Sequence, residues 1–232
     1  MAILLKSGAV FLHIPKTGGS WVHKVLKEQN LIKIEFSHKH ADMERVLNFP
    51  RFYTGGFIHQ SWKLKTLHLH EEIKNAYKFC FVRHPLSWYE SYWRFMTGLN
   101  WDKFHELEYK RKYLRGRVWH PNLVLENIGG PDFNQFIQNV IKEYPGYVTE
   151  FYGWYTLPFH INFIGKQENM KEDLIKVLTD LGEKFDKDKI YKVGKENQSK
   201  QQVQIPKWDE NLKEEILKLE YAAFKRYGYQ AR

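Results

Sequence analysis

Residues 11–22 read FLHIPKTGGSWV. The apolar run Ala9–Ile14, broken only by His13, has the composition of a strand. Pro15-Lys16-Thr17-Gly18-Gly19-Ser20 follows as a turn, and Gly18–Gln29 then reads as a helix, with Trp21, Val25 and Leu26 apolar and Lys24 and Lys27 polar. Strand, glycine turn and helix start form the geometry in which backbone N–H groups converge on an anion. The ordinary nucleotide-binding version places its lysine after the glycines, as G-x-x-x-x-G-K-[ST]. Here Lys16 precedes them, and that string occurs nowhere in the chain. The segment therefore predicts a phosphate-like ligand held in a way that the usual nucleoside-triphosphatase pattern does not describe.

Outward from this point, strand-like and helix-like stretches alternate, which predicts an α/β fold with a central, mostly parallel sheet flanked by helices. Leu31–Phe36 and Arg51–Ile58 read as further strands, and Tyr77–Val82 (YKFCFV) as a buried one. Pro85 stands where a helix begins, with Leu86, Tyr89, Trp93 and Met96 on one apolar face. From about Asn100 to Gly130 the period weakens, which reads as an insertion or lid at about 100–130. Asp132–Tyr144 and Glu168–Leu181 read as helices, with a strand at Ile161–Gly165 between them. In Asp209–Tyr227 the apolar residues Leu212, Ile216, Leu219, Ala223 and Tyr227 recur at helical spacing. The expectation is one domain over residues 1–232, with a P-loop-like strand–loop–helix of the nucleotide-kinase kind.

The 232 residues carry 36 Lys and Arg against 27 Asp and Glu, a net charge of +9. This balance suits an acidic partner such as nucleic acid, an anionic polymer or a polyanionic cofactor, and equally a basic but inert surface. The single cysteine, Cys80, excludes an internal disulfide and a cysteine-based zinc site, and its apolar neighbours suggest packing. No run is long enough to span a membrane, and the N-terminal segment lacks a signal-peptide layout, so the expected location is cytoplasmic.

A second constellation follows the buried strand: Arg83-His84-Pro85-Leu86-Ser87-Trp88-Tyr89-Glu90-Ser91-Tyr92. Arg83 stands at a strand end, where open α/β sheets bind ligands, and Ser91 lies on the next helix, on the side away from its apolar face. An arginine and a serine so placed can share one phosphate, or be no more than a surface ion-pair arginine and a solvated helix serine. Taken together, HIPKTGGS and RHPLSWYESYW resemble two motifs of the sulfotransferases that use 3′-phosphoadenosine 5′-phosphosulfate (PAPS), in particular the Golgi-type carbohydrate enzymes and their bacterial relatives. The first motif there resembles HIPKTGGT; the second runs R-[DH]-P-x-x-[RW]-x-x-S-x-Y, with Trp88 here where many relatives carry a second arginine. INFIGKQENMKEDL is similar to a later strand-then-helix element. Lys195-Glu196-Asn197-Gln198-Ser199 resembles a late loop that closes over the cofactor.

The resemblance implies a role for each of these residues. Thr17, Gly18, Gly19, Ser20 and Trp21 would surround the 5′-phosphate of PAPS, with Lys16 at the oxygen that bridges phosphorus and sulfur. Arg83 and Ser91 would take the 3′-phosphate, and Asn197 and Ser199 would close over the cofactor. Transfer to an alcohol also needs a base. His59, in RFYTGGFIHQSW, follows an expected strand end and is the first candidate, with His38 and His40 behind it; His59 as a merely hydrogen-bonded structural residue stays open. His38-x-His40 and His68-x-His70 have chelating spacing but no companion ligands, and the chemistry needs no metal. The expected acceptor is a hydroxyl, of a carbohydrate by resemblance, with no nucleic acid and no membrane span. Two alternatives stand beside this reading: a nucleotide or small-molecule kinase, which lacks the G-K-[ST] order and an evident magnesium-binding aspartate, and a non-catalytic binder of nucleic acid or anionic polymer.

Overall fold

Lys6, Ser7 and Gly8 make a turn too short for anything but an antiparallel return. Gly8 sits at φ +86°, where a side chain is strained, and the Leu5 N–H donates to the Ala9 carbonyl (2.8 Å) to close the hairpin. The turn joins β1 (Ala2–Leu5) to β2 (Val10–Leu12), with Ile3 opposite Phe11. The computed structural model describes residues 2–36, 39–48, 70–99, 101, 122–194 and 205–230. Within it the chain divides into two compact units, Met1–Val82 with Gly153–Glu196 and Arg83–Tyr152 with Asn197–Arg232.

Among the described residues, the first unit carries a five-stranded sheet. Besides β1 and β2 it contains β3 (Ile32–Phe36), β4 (Lys78–Val82) and β5 (Phe163–Lys166), in the order β3-β1-β2-β4-β5. β2, β4 and β5 run parallel, with Phe11 beside Phe79 and Phe79 beside Phe163, while β1 pairs antiparallel with both β2 and β3. The fold is thus α/β, but the sheet is mixed: the parallel half carries the motif strands, and the early hairpin turns the other half round. Helix α1 (Gly19–Glu28) follows β2, and α2 (Met43–Asn48) follows β3. Trp21, Val22, Val25 and Leu26 of α1 share one core with Ile3, Phe11, Phe79 and Phe81 of the sheet and with Leu174, Val177 and Leu178 of a later helix, Met170–Asp180. All five residues of β4 are buried, which is why KFCFV shows no polar alternation.

The second unit is aromatic. Helix α3 (Pro85–Thr97) begins on Pro85 and buries Leu86, Trp88, Tyr89, Tyr92, Trp93 and Met96. Trp88 stacks on Tyr92 with centroids 5.3 Å apart and planes 3° from parallel, and it also meets Tyr147 and Phe151. Those two belong to helix Tyr147–Thr156, within which the division between the units falls. A helix at Phe133–Glu143, capped by the Asp132 carboxylate on the Gln135 N–H (2.7 Å), adds Phe133 and Phe136. The C-terminal segment is two helices, Glu210–Leu219 and Tyr221–Arg226, where its periodicity alone suggests one.

Glu220 marks that break and is fully buried. Its carboxylate accepts from the Tyr89 hydroxyl (2.6 Å), the N–H groups of Val148 (3.0 Å) and Thr149 (2.7 Å), and the Thr149 hydroxyl (2.7 Å). These four bonds compensate most of the cost of burying a carboxyl, whose pKa burial still raises. The expected insertion at about 100–130 is described only at its ends. There Trp101 is buried, donating its indole N–H to the Glu126 carbonyl (3.0 Å), and a Cβ on Gly129 would fall 1.6 Å from the Trp101 ring. The expected strand at Arg51–Ile58 lies outside the described residues.

Candidate active site

Residues 13–18 link β2 to α1, and with the start of α1 they belong to the first unit. Lys16 stands at φ +66°, unusual for a residue with a side chain, and Gly18 at φ +86°. Thr17 lies between them, buried, with its hydroxyl donating to the Ile14 carbonyl (2.9 Å). Left-handed residues placed alternately in this way turn successive backbone N–H groups toward one side. A left-handed lysine costs on the order of 1–2 kcal/mol, which points to a geometric demand at this position.

Gly18 caps α1 with no side-chain hydrogen bond, and the first turn of the helix contains no acidic residue. The positive end of the helix dipole is therefore not offset from within the helix. Trp21, expected at the cofactor, has its indole in the core with the ring N–H toward the Val193 carbonyl (3.4 Å), and its backbone N–H donates to the Gly18 carbonyl (2.9 Å). Both of its donors serve the fold.

His13 explains the second glycine. Its ring is 5% exposed, and a Cβ on Gly19 would lie 2.0 Å from its Cδ2 and 2.4 Å from its Nε2. Only a residue without a side chain lets α1 start against this imidazole. Burial first, and then surrounding positive charge that includes Lys39 and Lys16, hold the His13 pKa well below its usual value, so the ring is neutral near pH 7. Its aromatic neighbours are Phe11 (6.2 Å between centroids) and, edge to face, His40 (4.7 Å).

His40, one of the base candidates, is thus brought to the loop. Its Nδ1–H donates to the His13 carbonyl (3.3 Å), and its own carbonyl accepts from the Tyr155 hydroxyl (2.5 Å). Beside it, Lys39 reaches Ser20 of α1, Nζ to Oγ 3.4 Å. Neither the position of Lys39 nor that of His13 was evident from the sequence. The signal for His13 was the pair Gly18-Gly19 following a histidine in an otherwise apolar strand; Lys39 gave no comparable signal. His59, His38, Asn197 and Ser199 lie outside the described residues.

Arg83 and Ser91 belong to the second unit. β4 ends at Val82, and Arg83 is the next residue. The Arg83 N–H donates to the Tyr152 hydroxyl (3.1 Å), and that hydroxyl donates to the Arg83 carbonyl (2.8 Å), so one buried tyrosine fixes the Arg83 peptide on both sides. Ser91 is half-buried on α3, on the side away from the buried aromatics, as its spacing predicts. Trp88, in place of a second arginine, is wholly within the aromatic core and offers nothing to a phosphate. Cys80 is buried in β4, and burial pushes its thiol up to about 12, which keeps it protonated and unreactive.

Among the described residues, no helix is long and apolar enough to cross a membrane, and no three His, Cys, Asp or Glu side chains cluster as metal ligands. Comparison with curated proteins and with solved structures returns no match. Comparison with family models returns the sulfotransferase family, matched over residues 5–230. That span includes the β2–α1 loop, the strand end at Arg83 and the helices of the second unit, and the chain belongs to the sulfotransferase family.

Proposed function

We propose that this protein transfers a sulfuryl group from PAPS to a hydroxyl of an acceptor, and that the acceptor is a carbohydrate. The observation that carries the reading is the β2–α1 loop: a left-handed Lys16, a left-handed Gly18 and an acid-free first helical turn, within the HIPKTGGS string of a sulfotransferase chain. These features fit a 5′-phosphosulfate, which is anionic, compact and in need of close backbone approach.

PAPS supplies an activated sulfuryl group. The acceptor oxygen attacks sulfur in line with the sulfur–oxygen bond that breaks, and the electron pair leaves on the 5′-phosphate of 3′-phosphoadenosine 5′-phosphate (PAP). In this reading the Lys16 ammonium stabilises the charge growing on that leaving oxygen. The backbone from Thr17 to Ser20 holds the phosphate. Arg83 and Ser91 take the 3′-phosphate, with the Arg83 peptide fixed by Tyr152. Asn197 and Ser199 close over the nucleotide. His59 removes the proton of the acceptor hydroxyl, with His40 as the described alternative, and no metal takes part. Both units serve as one sulfotransferase domain in the cytoplasm. The net charge of +9 supports an anionic glycan as acceptor.

The test is calorimetry with PAP, AMP and ATP–magnesium, alongside incubation with PAPS and a glycan panel read by mass spectrometry. PAP is expected to bind more tightly than AMP by about 10- to 100-fold, the worth of charge-assisted contacts to the 3′-phosphate. Equal binding of ATP–magnesium and PAP would overturn the PAPS reading in favour of a kinase. Sulfation of peptides or small alcohols with no glycan product would overturn the acceptor class.

A further inference from the structure

We infer that Arg94, on α3, is a second guanidinium for the donor's 3′-phosphate and supplies the charge that Trp88 does not. The inference rests on the PAPS reading and adds to it a residue that neither motif contains. Its first support is the state of the side chain. Arg94 is half-buried, and its Nε is a buried nitrogen with no hydrogen-bond partner among the described residues. Nor does Arg94 enter any ion pair among them. A buried N–H of a charged group is expensive to leave unpaired, and an anion at this guanidinium would satisfy it.

The second support is that the nearest acid is engaged elsewhere. Glu90 stands four residues before Arg94, the spacing at which a glutamate and an arginine pair on one helix face. Its carboxylate instead accepts the indole N–H of Trp208 (2.8 Å). Trp208 is held in turn. Its ring meets Phe133 edge-on, with centroids 4.8 Å apart, and the next N–H, that of Asp209, donates to the Asn134 side chain (3.0 Å). All of these residues belong to the second unit. The indole thus occupies the one acid that stands three or four residues from Arg94 on α3.

The third support is register. Ser87, Ser91 and Arg94 follow one another at steps of four and three, as one stripe on the side of α3 away from its buried aromatics. Residues three apart on a helix stand about 5–6 Å from each other at Cβ, and helical side chains lean toward the N-terminus. Arg94 is therefore placed to reach back over the turn that carries Ser91, the serine proposed for the 3′-phosphate. Trp88, where many relatives carry a second arginine, lies in the aromatic core. Six residues on, the polar stripe regains a guanidinium, whose planar fork suits the oxygens of a phosphate.

The experiment measures PAP and AMP affinities by calorimetry for the wild type, Arg94→Ala, Arg94→Lys and Trp208→Phe. Arg94→Ala is expected to lower the PAP/AMP affinity ratio about 10-fold through PAP alone, with AMP binding kept. Arg94→Lys keeps the charge without the fork and should recover part of the ratio. Trp208→Phe keeps a ring against Phe133 but releases Glu90 to pair with Arg94, so it should lower the ratio with Arg94 intact. Its effect should shrink once Arg94 is alanine. An unchanged ratio in Arg94→Ala would overturn the proposal. Equal losses of PAP and AMP would overturn it too, by making the arginine a structural or general surface charge. Wild-type protein that binds PAP and AMP alike would overturn the 3′-phosphate site itself, and the PAPS reading with it.

Discussion

Replacing Gly19 by alanine puts the start of α1 against His13. Its φ is not in the left-handed region, so the backbone accepts alanine, and in an open helix end the change would stabilise by about 0.5–1 kcal/mol. Here the added methyl meets the imidazole at 2.0, 2.4 and 2.5 Å. His13 is buried, with Phe11 on one side and His40 on another, so its ring has little freedom to withdraw. Overpacking of this kind costs about 1–3 kcal/mol, which leaves a net loss of up to about 2.5 kcal/mol, centred on about 1 kcal/mol. Urea unfolding of Gly19→Ala, His13→Ala and the double variant isolates the contact. In the His13→Ala background the same methyl should be neutral or stabilising. The ring also has a pH signature: burial, and then nearby positive charge, keep its folded pKa below the unfolded value near 6.5. The unfolded chain then binds the extra proton, so wild-type stability should fall as pH drops below about 6.5, and His13→Ala should flatten that slope. An equal cost of Gly19→Ala with and without His13 would refute the steric account of the second glycine.

Two further substitutions test the lysine proposed at the leaving group and the buried carboxylate. Lys16→Ala should lower turnover by about 10²–10³ while weakening PAP far less, measured by single-turnover transfer and calorimetry; matched losses would make Lys16 a simple binding group. Glu220→Ala should destabilise by about 3–5 kcal/mol in urea unfolding, because the Tyr89 and Thr149 hydroxyls and two N–H groups lose a buried acceptor. A loss under about 1 kcal/mol would mean that water or a neighbour replaces the carboxylate.

The parallel half of the sheet was legible because its strands are short apolar runs followed by strong helix starts. β2 runs into a glycine turn, and β4 runs through Arg83 into Pro85. The antiparallel half was not, because the sign of a pairing depends on a three-residue turn whose glycine is ordinary in sequence. Met1-Ala2-Ile3-Leu4-Leu5 reads simply as an apolar start. Helix Tyr147–Thr156 also escaped notice: YVTEFYGWYT shows no polar face, since Tyr147, Val148, Phe151, Tyr152 and Tyr155 are all buried. The break at Glu220 had no period to reveal it, because a buried carboxylate with four donors looks, in sequence, like one more exposed helix glutamate.

The candidate site divides along the same physical line. Lys16, Gly18 and Gly19 are visible in sequence because backbone geometry restricts which residues can stand there, and such restrictions leave local strings. Lys39 reaches Ser20 from the segment between β3 and α2, far from the loop in sequence. A contact made across such a separation leaves no spacing rule behind it. His13 falls between the two cases: its strand is local, but the glycine it requires lies across the loop. The GG pair is therefore a record of two different demands. Gly18 meets a backbone demand at φ +86°, and Gly19 meets a packing demand set by the His13 ring. If the loop's anion contacts depend on both, a variant that relieves the packing demand alone should leave the Gly18 turn, and the backbone amides beyond it, in place.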